Sequence, residues 1–154
     1  MTDLAIFAAG CFWGIEEKLL STKGVIDTEV GYIGGITKNP TYHDVCRGDT
    51  EHAEAVRVKF DERQISYKDL VELFFQIHDP TTLNRQGPDI GTQYRSEIFC
   101  LDEDQYITAD MLKRNLNNSS FDGSIITSIS MAGEFWIAEE YHQKYIRKKK
   151  NMIS

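Results

Sequence analysis

The stretch LAIFAAGCFWGIEEKLL, residues 4–20, carries the reading of the fold. Its first six residues are apolar without alternation, which suits a buried strand, and Gly10 ends the run in a turn. From Phe12, apolar residues recur at Ile15 and Leu19, the spacing of one helix face, with Gly24 as a stop signal. A strand therefore hands over to a helix at Cys11. Further on, VIDTEVGYIGG (25–35) reads as a strand with Ile26, Thr28, Val30 and Tyr32 on one face. EAVRVKF (54–60) alternates Val56, Val58 and Phe60 against Arg57 and Lys59. Ser66 and Asp69 form a capping box that opens a helix with Leu70, Leu73, Phe74 and Ile77 on its apolar face. HDPTTLNRQGPDIGTQ (78–93) is irregular, YRSEIFCL (94–101) is a strand, and Asp102 caps a helix to about Leu116. SIITSISM (124–131) reads as the last strand, and EFWIAEEYHQKY (134–145) has weak regularity. This order predicts an α/β sandwich with helices packed on a mixed sheet.

The chain has 154 residues, 41% of them hydrophobic, enough for one compact core and too few for two ordinary domains. A net charge of −7 argues against general nucleic-acid binding. No apolar run approaches the ~20 residues of a membrane span, and MTDLAIFAAG lacks the basic lead of a secretory signal. Three cysteines without framework spacing suit reduced thiols in a cytoplasm. The expectation is one cytoplasmic domain over 1–154, monomeric, with a frayed basic tail at 147–154.

Cys11 stands where the first helical N–H groups lack intrahelical partners and the helix dipole is positive, and both stabilise a thiolate. A small buried hydrophobe is the alternative reading of the same cysteine. Phe12 and Trp13 point in different directions from a helix, so at least one walls a pocket beside the sulfur. An apolar pocket there suits a thioether or methyl group. Strand parity puts Glu54 in phase with Val56, Val58 and Phe60, on the apolar side of the sheet. Burial would raise its pKa and keep it protonated as a general acid; if the strand starts later, Glu54 is a solvated end residue. Tyr42, His43, Asp44, Asp49, His52, Asp89 and Tyr94 gather in the irregular segments, where a tyrosine hydroxyl suits an oxygen gaining negative charge.

GCFWGIEE, GYIGG with NPTYHDVCRGDTEHAEAV, HDPTTLNRQG, DIGTQYRSEI and AEEYHQKY together resemble, in order from about residue 5 to residue 145, the methionine sulfoxide reductase A family. The resemblance implies a ferredoxin-like core and reduction of methionine-S-sulfoxide, free or in proteins, with no metal, flavin or nucleotide. It makes Cys11 the nucleophile on sulfur, Glu54 the acid for the sulfoxide oxygen, and Tyr42 and Tyr94 that oxygen's hydrogen-bond donors. Asp89 would organise the site, and Phe12 and Trp13 would hold the substrate methyl. A Cys11 sulfenic acid would result, to be reduced by a thiol.

Two departures bear on this. The tail QKYIRKKKNMIS lacks the recycling cysteines many members carry, so an external thiol, thioredoxin or glutathione with glutaredoxin, is expected to reduce Cys11 directly. Cys46 reads as structural, and Cys100 as buried or resolving. Pro88 stands where the family usually has asparagine, which restricts Gly87 and reshapes the loop holding Asp89. Rival readings are a cysteine hydrolase using His52 or His142 as base, a metal module of His43, Cys46 and His52, and a basic tail (RKKK, 147–150) for nucleic acid or membrane.

Overall fold

The structure, a computed structural model, describes residues 2–153. Along the chain run β1 (Thr2–Ala9), α1 (Phe12–Leu20), β2 (Val25–Ile33), α2 (Tyr42–Cys46), β3 (Ala53–Asp61) and α3 (Tyr67–Gln76). There follow the short β4 (Arg85–Gln86) and β5 (Asp89–Ile90), a 3-10 turn at Thr92–Tyr94, β6 (Ser96–Cys100) and α4 (Glu103–Ser119). The chain closes with β7 (Ser128–Met131), β8 (Trp136–Ile137), a second 3-10 turn at Glu140–His142 and α5 (Tyr145–Ile153).

The six-stranded sheet has the order β7-β6-β1-β3-β2-β8, all neighbours antiparallel except β6 and β7. Within it, β1-α1-β2-β3-α3-β6 forms the β-α-β-β-α-β unit of a ferredoxin-like core. The helices cover one face. Ala5, Phe7 and Ala9 of β1 join Val56, Val58 and Phe60 of β3 beneath them, with Leu19, Leu70 and Phe74 from the helices. Ile6 and Ala8 point the other way, into a smaller cluster with Ile33, Ala53, Ala55 and Phe99 that Ala132 and Phe135 cover. The unalternating run at the N-terminus thus reflects a central strand buried on both faces.

The capping boxes are present at Ser66, with Asp69, and also at Thr41, with Asp44, which turns part of the polar loop into α2. Asp102 caps α4, accepting from the Gln105 amide. Several expectations need correction. The β2 ladder slips between Val25 and Asp27, so Ile26 bulges out and is exposed, while Thr28, Val30 and Tyr32 keep the core parity. Val71 and Phe75 are buried on α3, and Leu73 and Ile77 only partly, so its apolar face is wider than one stripe. A short strand, β8, follows the one taken as last.

The tail read as frayed is helical over Tyr145–Ile153. Arg147 and Lys150 both reach Glu17 on α1, Lys148 reaches Glu140, and the Lys149 ammonium lies over the Tyr145 ring. Each of its four cations thus has a partner within the fold. Among the described residues, no helix is long and apolar enough to cross a membrane.

The segment between β8 and α5 is pinned by polar bonds to β2. The Gln143 carboxamide accepts from the Val30 amide at 2.9 Å and donates to the Val30 carbonyl at 2.9 Å and the Ala138 carbonyl at 3.0 Å. It substitutes for a neighbouring strand where β8 ends, satisfying backbone groups that are out of water. Lys144, with φ +52, donates its amide to the buried Glu16 carboxylate at 2.6 Å. Gln143→Ala should lower stability by about 2 kcal/mol, roughly 4–8 °C in Tm, because buried backbone groups lose their partners. Thermal melts of the two proteins check this.

Candidate active site

The loops at one end of the sheet converge on the start of α1. Gly10 takes φ +99, a conformation L side chains rarely adopt, and a Cβ there would come within 2.8 Å of the Gln86 side chain. This turn places Cys11 at the N-cap of α1. The first amide of the helix, that of Phe12, donates to Glu54 Oε1 at 3.2 Å. The next two, of Trp13 and Gly14, favour the Cys11 thiolate without reaching full hydrogen-bond geometry. Acid and thiol therefore share one helix terminus.

β3 begins at Ala53, so Glu54 lies within the strand, and it is 1% exposed. The solvated alternative is thereby excluded. Burial pushes its pKa up to about 7, against the Phe12 hydrogen bond and with help from the charge of Asp89. Its Oε2 is buried without a hydrogen-bond partner among the described residues. A protonated Oε2 is thus a donor with nothing among the described residues to accept its hydrogen bond.

Cys11 is half-buried, and burial raises its pKa above the ordinary thiol value. The amides of Trp13 and Gly14 pull it down, while Glu54 and Asp89 push it up. The helix amides thus favour the thiolate as expected, but desolvation and the two carboxylates oppose them, and the balance raises the pKa of Cys11.

The other expected residues arrange around this pair. Phe12 is buried, its ring centroid 6.5 Å from that of Tyr42 and 5.8 Å from that of Tyr32. Trp13 is half-buried, stacked on Tyr145 at 3.9 Å. Tyr42 opens α2, where burial and the Cys46 thiol raise its pKa. Tyr94 ends the 3-10 turn; burial first, then the charges of Glu54, Cys46, Asp89 and Cys11, push its pKa up to about 12. Both phenols therefore stay protonated donors at neutral pH. Asp89 belongs to β5, paired with β4 across a turn made of Gly87, at φ +57, and Pro88. Despite the proline, Asp89 lines the cleft of about 290 Å³ that opens on Cys11, with Lys18, His78 and Gln86. A larger groove of about 640 Å³ between α3 and α4 contains none of these residues.

The remaining cysteines separate clearly. Cys46 is exposed, so it is not the structural residue expected. Cys100 is fully buried, its sulfur 4.0 Å from the Tyr67 hydroxyl, and burial first pushes its pKa up to about 11. It stands past Phe99, the partner of Ile6, toward the far end of β1, roughly 15–20 Å along the sheet from Cys11 at strand spacing. A resolving role for Cys100 does not fit that placement.

The rival chemistries lack their parts. His52 is bound through Nδ1 to the Gly35 amide at 3.1 Å and through Nε2 to the Thr37 carbonyl at 2.6 Å. His78, in the Cys11 cleft, is held at both nitrogens by Phe74 and Ser96, and burial lowers its pKa to about 4. His142 Nδ1 accepts the Trp13 indole N–H. The charged neighbours of Cys11 are carboxylates, not a histidine base. Among the described residues no three His, Cys, Asp or Glu side chains converge as a metal site would.

Residue-by-residue reading overlooked Glu139 and Gln143, and weighed His142 only as a base. Glu139 accepts from the Tyr32 hydroxyl at 2.8 Å and from the Tyr42 amide at 2.9 Å, anchoring the start of α2. The AEEYHQKY stretch that contains them stood out in the sequence, but without any period to say what it touches.

A cysteine at a helix terminus beside a buried acid with one unpartnered oxygen suits thiol chemistry on a group that must be protonated to leave. Comparison with known proteins narrows the class. The model of the peptide methionine sulfoxide reductase family matches residues 3–154. The peptide methionine sulfoxide reductase MsrA of Methanosarcina acetivorans is 55% identical over 148 residues, covering 96% of this chain and 79% of that one. The reduced form of Mxr1 from Saccharomyces cerevisiae superimposes with a TM-score of 0.92 at 36% identity, covering 97% of this chain and 86% of that one. Methionine sulfoxide reductase A of Corynebacterium diphtheriae gives 0.91 at 38% identity, with coverage of 97% and 76%. A complex of Mxr1 with Trx2 shares the fold at a TM-score of 0.67 and 24% identity, with coverage of 94% and 84%. The chain belongs to the peptide methionine sulfoxide reductase family. It is an oxidoreductase that reduces methionine sulfoxide.

The geometry makes a chemical prediction that needs no substrate. Glu54→Gln removes a negative charge beside Cys11, so the thiol pKa should fall, and Asp89→Asn should lower it less. The pH dependence of Cys11 alkylation, read by mass spectrometry of its peptide to exclude the exposed Cys46, checks both directions.

Proposed function

We propose that Cys11, Glu54, Tyr42 and Tyr94 carry out the reduction of methionine-S-sulfoxide, with the substrate methyl received by Phe12 and Trp13. The observation that carries this is the buried Oε2 of Glu54, without a partner, on a carboxyl whose other oxygen is tied to the residue after Cys11. A sulfoxide oxygen leaves only when protonated, so nucleophile and acid must act on adjacent atoms. This pair is built for that.

The thiolate of Cys11 attacks the sulfoxide sulfur while Glu54 gives its proton to the oxygen. Tyr42 and Tyr94 donate hydrogen bonds to that oxygen as its charge grows. Asp89 acts through its field, holding the proton on Glu54. The adduct so formed carries a Cys11 sulfur–methionine sulfur bond and a hydroxyl. The hydroxyl passes to the Cys11 sulfur as the sulfur–oxygen bond breaks, and the sulfur–sulfur bond breaks with its electron pair left on methionine, giving a Cys11 sulfenic acid and the thioether. An external thiol then attacks the sulfenic sulfur and releases water, and a second thiol frees Cys11. A thioredoxin-type dithiol is the favoured reductant, supported by the complex of Mxr1 with Trx2. Glutathione with glutaredoxin is the second source of the same chemistry.

Cys11→Ser should be inactive on either epimer, and Glu54→Gln should lose about 10²–10⁴-fold in single-turnover rate on the S epimer. Turnover of the R epimer, or full activity in Cys11→Ser, overturns the reading. The pH profile follows from the two raised pKa values. Productive enzyme carries a thiolate and a protonated acid, the less populated arrangement of the pair. The rate at low sulfoxide should climb with pH to about 7, where Glu54 ionises, and then level as loss of acid offsets gain of thiolate. Glu54→Gln should keep climbing past that point. After one turnover without reductant, trapping with a sulfenic-acid reagent should label Cys11; a Cys11–Cys46 disulfide would instead make recycling internal.

A further inference from the structure

We propose that Arg95 is a positioning residue for the reaction: its guanidinium, held by Glu97, grips the Thr92 carbonyl and so fixes the turn from which Tyr94 presents its hydroxyl to the sulfoxide oxygen. The proposal rests on the reading of Tyr94 as a donor to that oxygen.

Tyr94 stands on a single 3-10 turn, Thr92–Tyr94. The Tyr94 amide donates to the Gly91 carbonyl at 3.0 Å, and the Arg95 amide to the Thr92 carbonyl at 3.2 Å. Hydrogen bonds of this turn type are poorly aligned, and one turn has few of them. The Thr92 carbonyl accepts a second bond, from Arg95 Nη1 at 3.0 Å. Arg95 Nε donates to Glu97 Oε1 at 2.7 Å, and Glu97 Oε2 accepts from the Ser130 hydroxyl at 2.7 Å. Two side chains thus tie the turn to β7, at the edge of the sheet.

The tie lies on the far side of the sheet from the helices. Glu97 shares strand parity with Phe99, whose ring belongs to the smaller cluster on that face. There the guanidinium crosses Gly34, where a Cβ would come within 2.8 Å of Arg95 Nη2. The side chains of Arg95 and Glu97 are only 18% and 11% exposed. A pair so withdrawn adds little net stability, because desolvation cancels much of its attraction, and apolar side chains of the same size would fill the space as well. What they would lack is the fork, which reaches the carboxylate with one nitrogen and the Thr92 carbonyl with another. Tyr94 meanwhile feels the charges of Glu54, Cys46, Asp89 and Cys11, so its other end stands in the site. Misplacing a group there by about 1 Å costs roughly 10²-fold in rate.

Tyr42 shares the oxygen, so the test is made in Tyr42→Phe, where Tyr94 is the remaining phenol. Single-turnover rates on methionine-S-sulfoxide are compared with and without Arg95→Met, in Tyr42→Phe and in Tyr42→Phe/Tyr94→Phe. Arg95→Met should slow Tyr42→Phe by roughly 10–10²-fold, the loss falling on the limiting rate rather than on the half-saturating sulfoxide concentration. Once Tyr94 is phenylalanine it should cost less than about twofold, and Cys11 alkylation should keep its rate throughout. Arg95→Lys, which keeps the charge without the fork, should behave as Arg95→Met does, and it carries the test if Arg95→Met does not fold. Equal slowing in both backgrounds, no slowing in Tyr42→Phe, or a matching loss of Cys11 alkylation overturns the proposal and leaves the Tyr94 reading standing. If Tyr94→Phe costs nothing in Tyr42→Phe, the Tyr94 reading itself fails and takes this proposal with it.

Discussion

Three backbone amides at the start of α1 are the constraint on which the site depends. Phe12 gives its N–H to Glu54, and those of Trp13 and Gly14 favour the Cys11 thiolate. A helix terminus stabilises negative charge, yet two anions this close repel one another. Both groups are also partly withdrawn from water, which raises both pKa values. The result is a thiol and an acid that cannot both ionise cheaply, a pair that holds a proton until an acceptor arrives. A sulfoxide offers that acceptor on the atom next to the one under attack. The strand β3 brings this carboxyl from 43 residues downstream, so the proposed chemistry requires β1 and β3 to pair in register.

A second dependency runs through the last quarter of the chain. Glu139, His142, Gln143, Lys144 and Arg147 reach, in turn, α2, Trp13, β2, Glu16 and Glu17. This segment has little regular structure of its own before α5. It is ordered by side-chain bonds to elements that are already packed, and it closes the aromatic wall of the site. Buried polar groups of this kind specify one arrangement because any slip leaves several of them unsatisfied. The position of Trp13 is thus decided by residues about 130 positions away.

Much of the fold was legible in the residues because local signals agreed. The apolar run before Gly10, the helical spacing after Cys11, the alternation in β3 and the capping box at Ser66 each have a period or a cap that requires no partner. Strand parity alone placed Glu54 on the core side, and the ordered motifs placed the same residue in a family. Ile26 misled because a bulge shifts parity without any glycine to mark it. The tail misled because Arg147 and Lys150 look solvated until Glu17 is seen opposite them. Cys46 misled because exposure of a residue in a five-residue helix depends on what packs over it.

By itself the sequence determined the element types, the ferredoxin-like class once the motifs were joined to it, and which thiol and acid are the candidates for reaction. Those follow from periodicity, turn chemistry and residue type, which are properties of neighbours along the chain. Tertiary structure alone decided the direction in which the pKa of each member of the pair moves, the separation of Cys100 from Cys11, and the hold of His142 on Trp13. A pKa reflects burial and the sum of nearby charges, and a hydrogen bond requires two groups brought to one point. Neither quantity exists until the sheet has closed and the segment from 138 to 145 has docked against it.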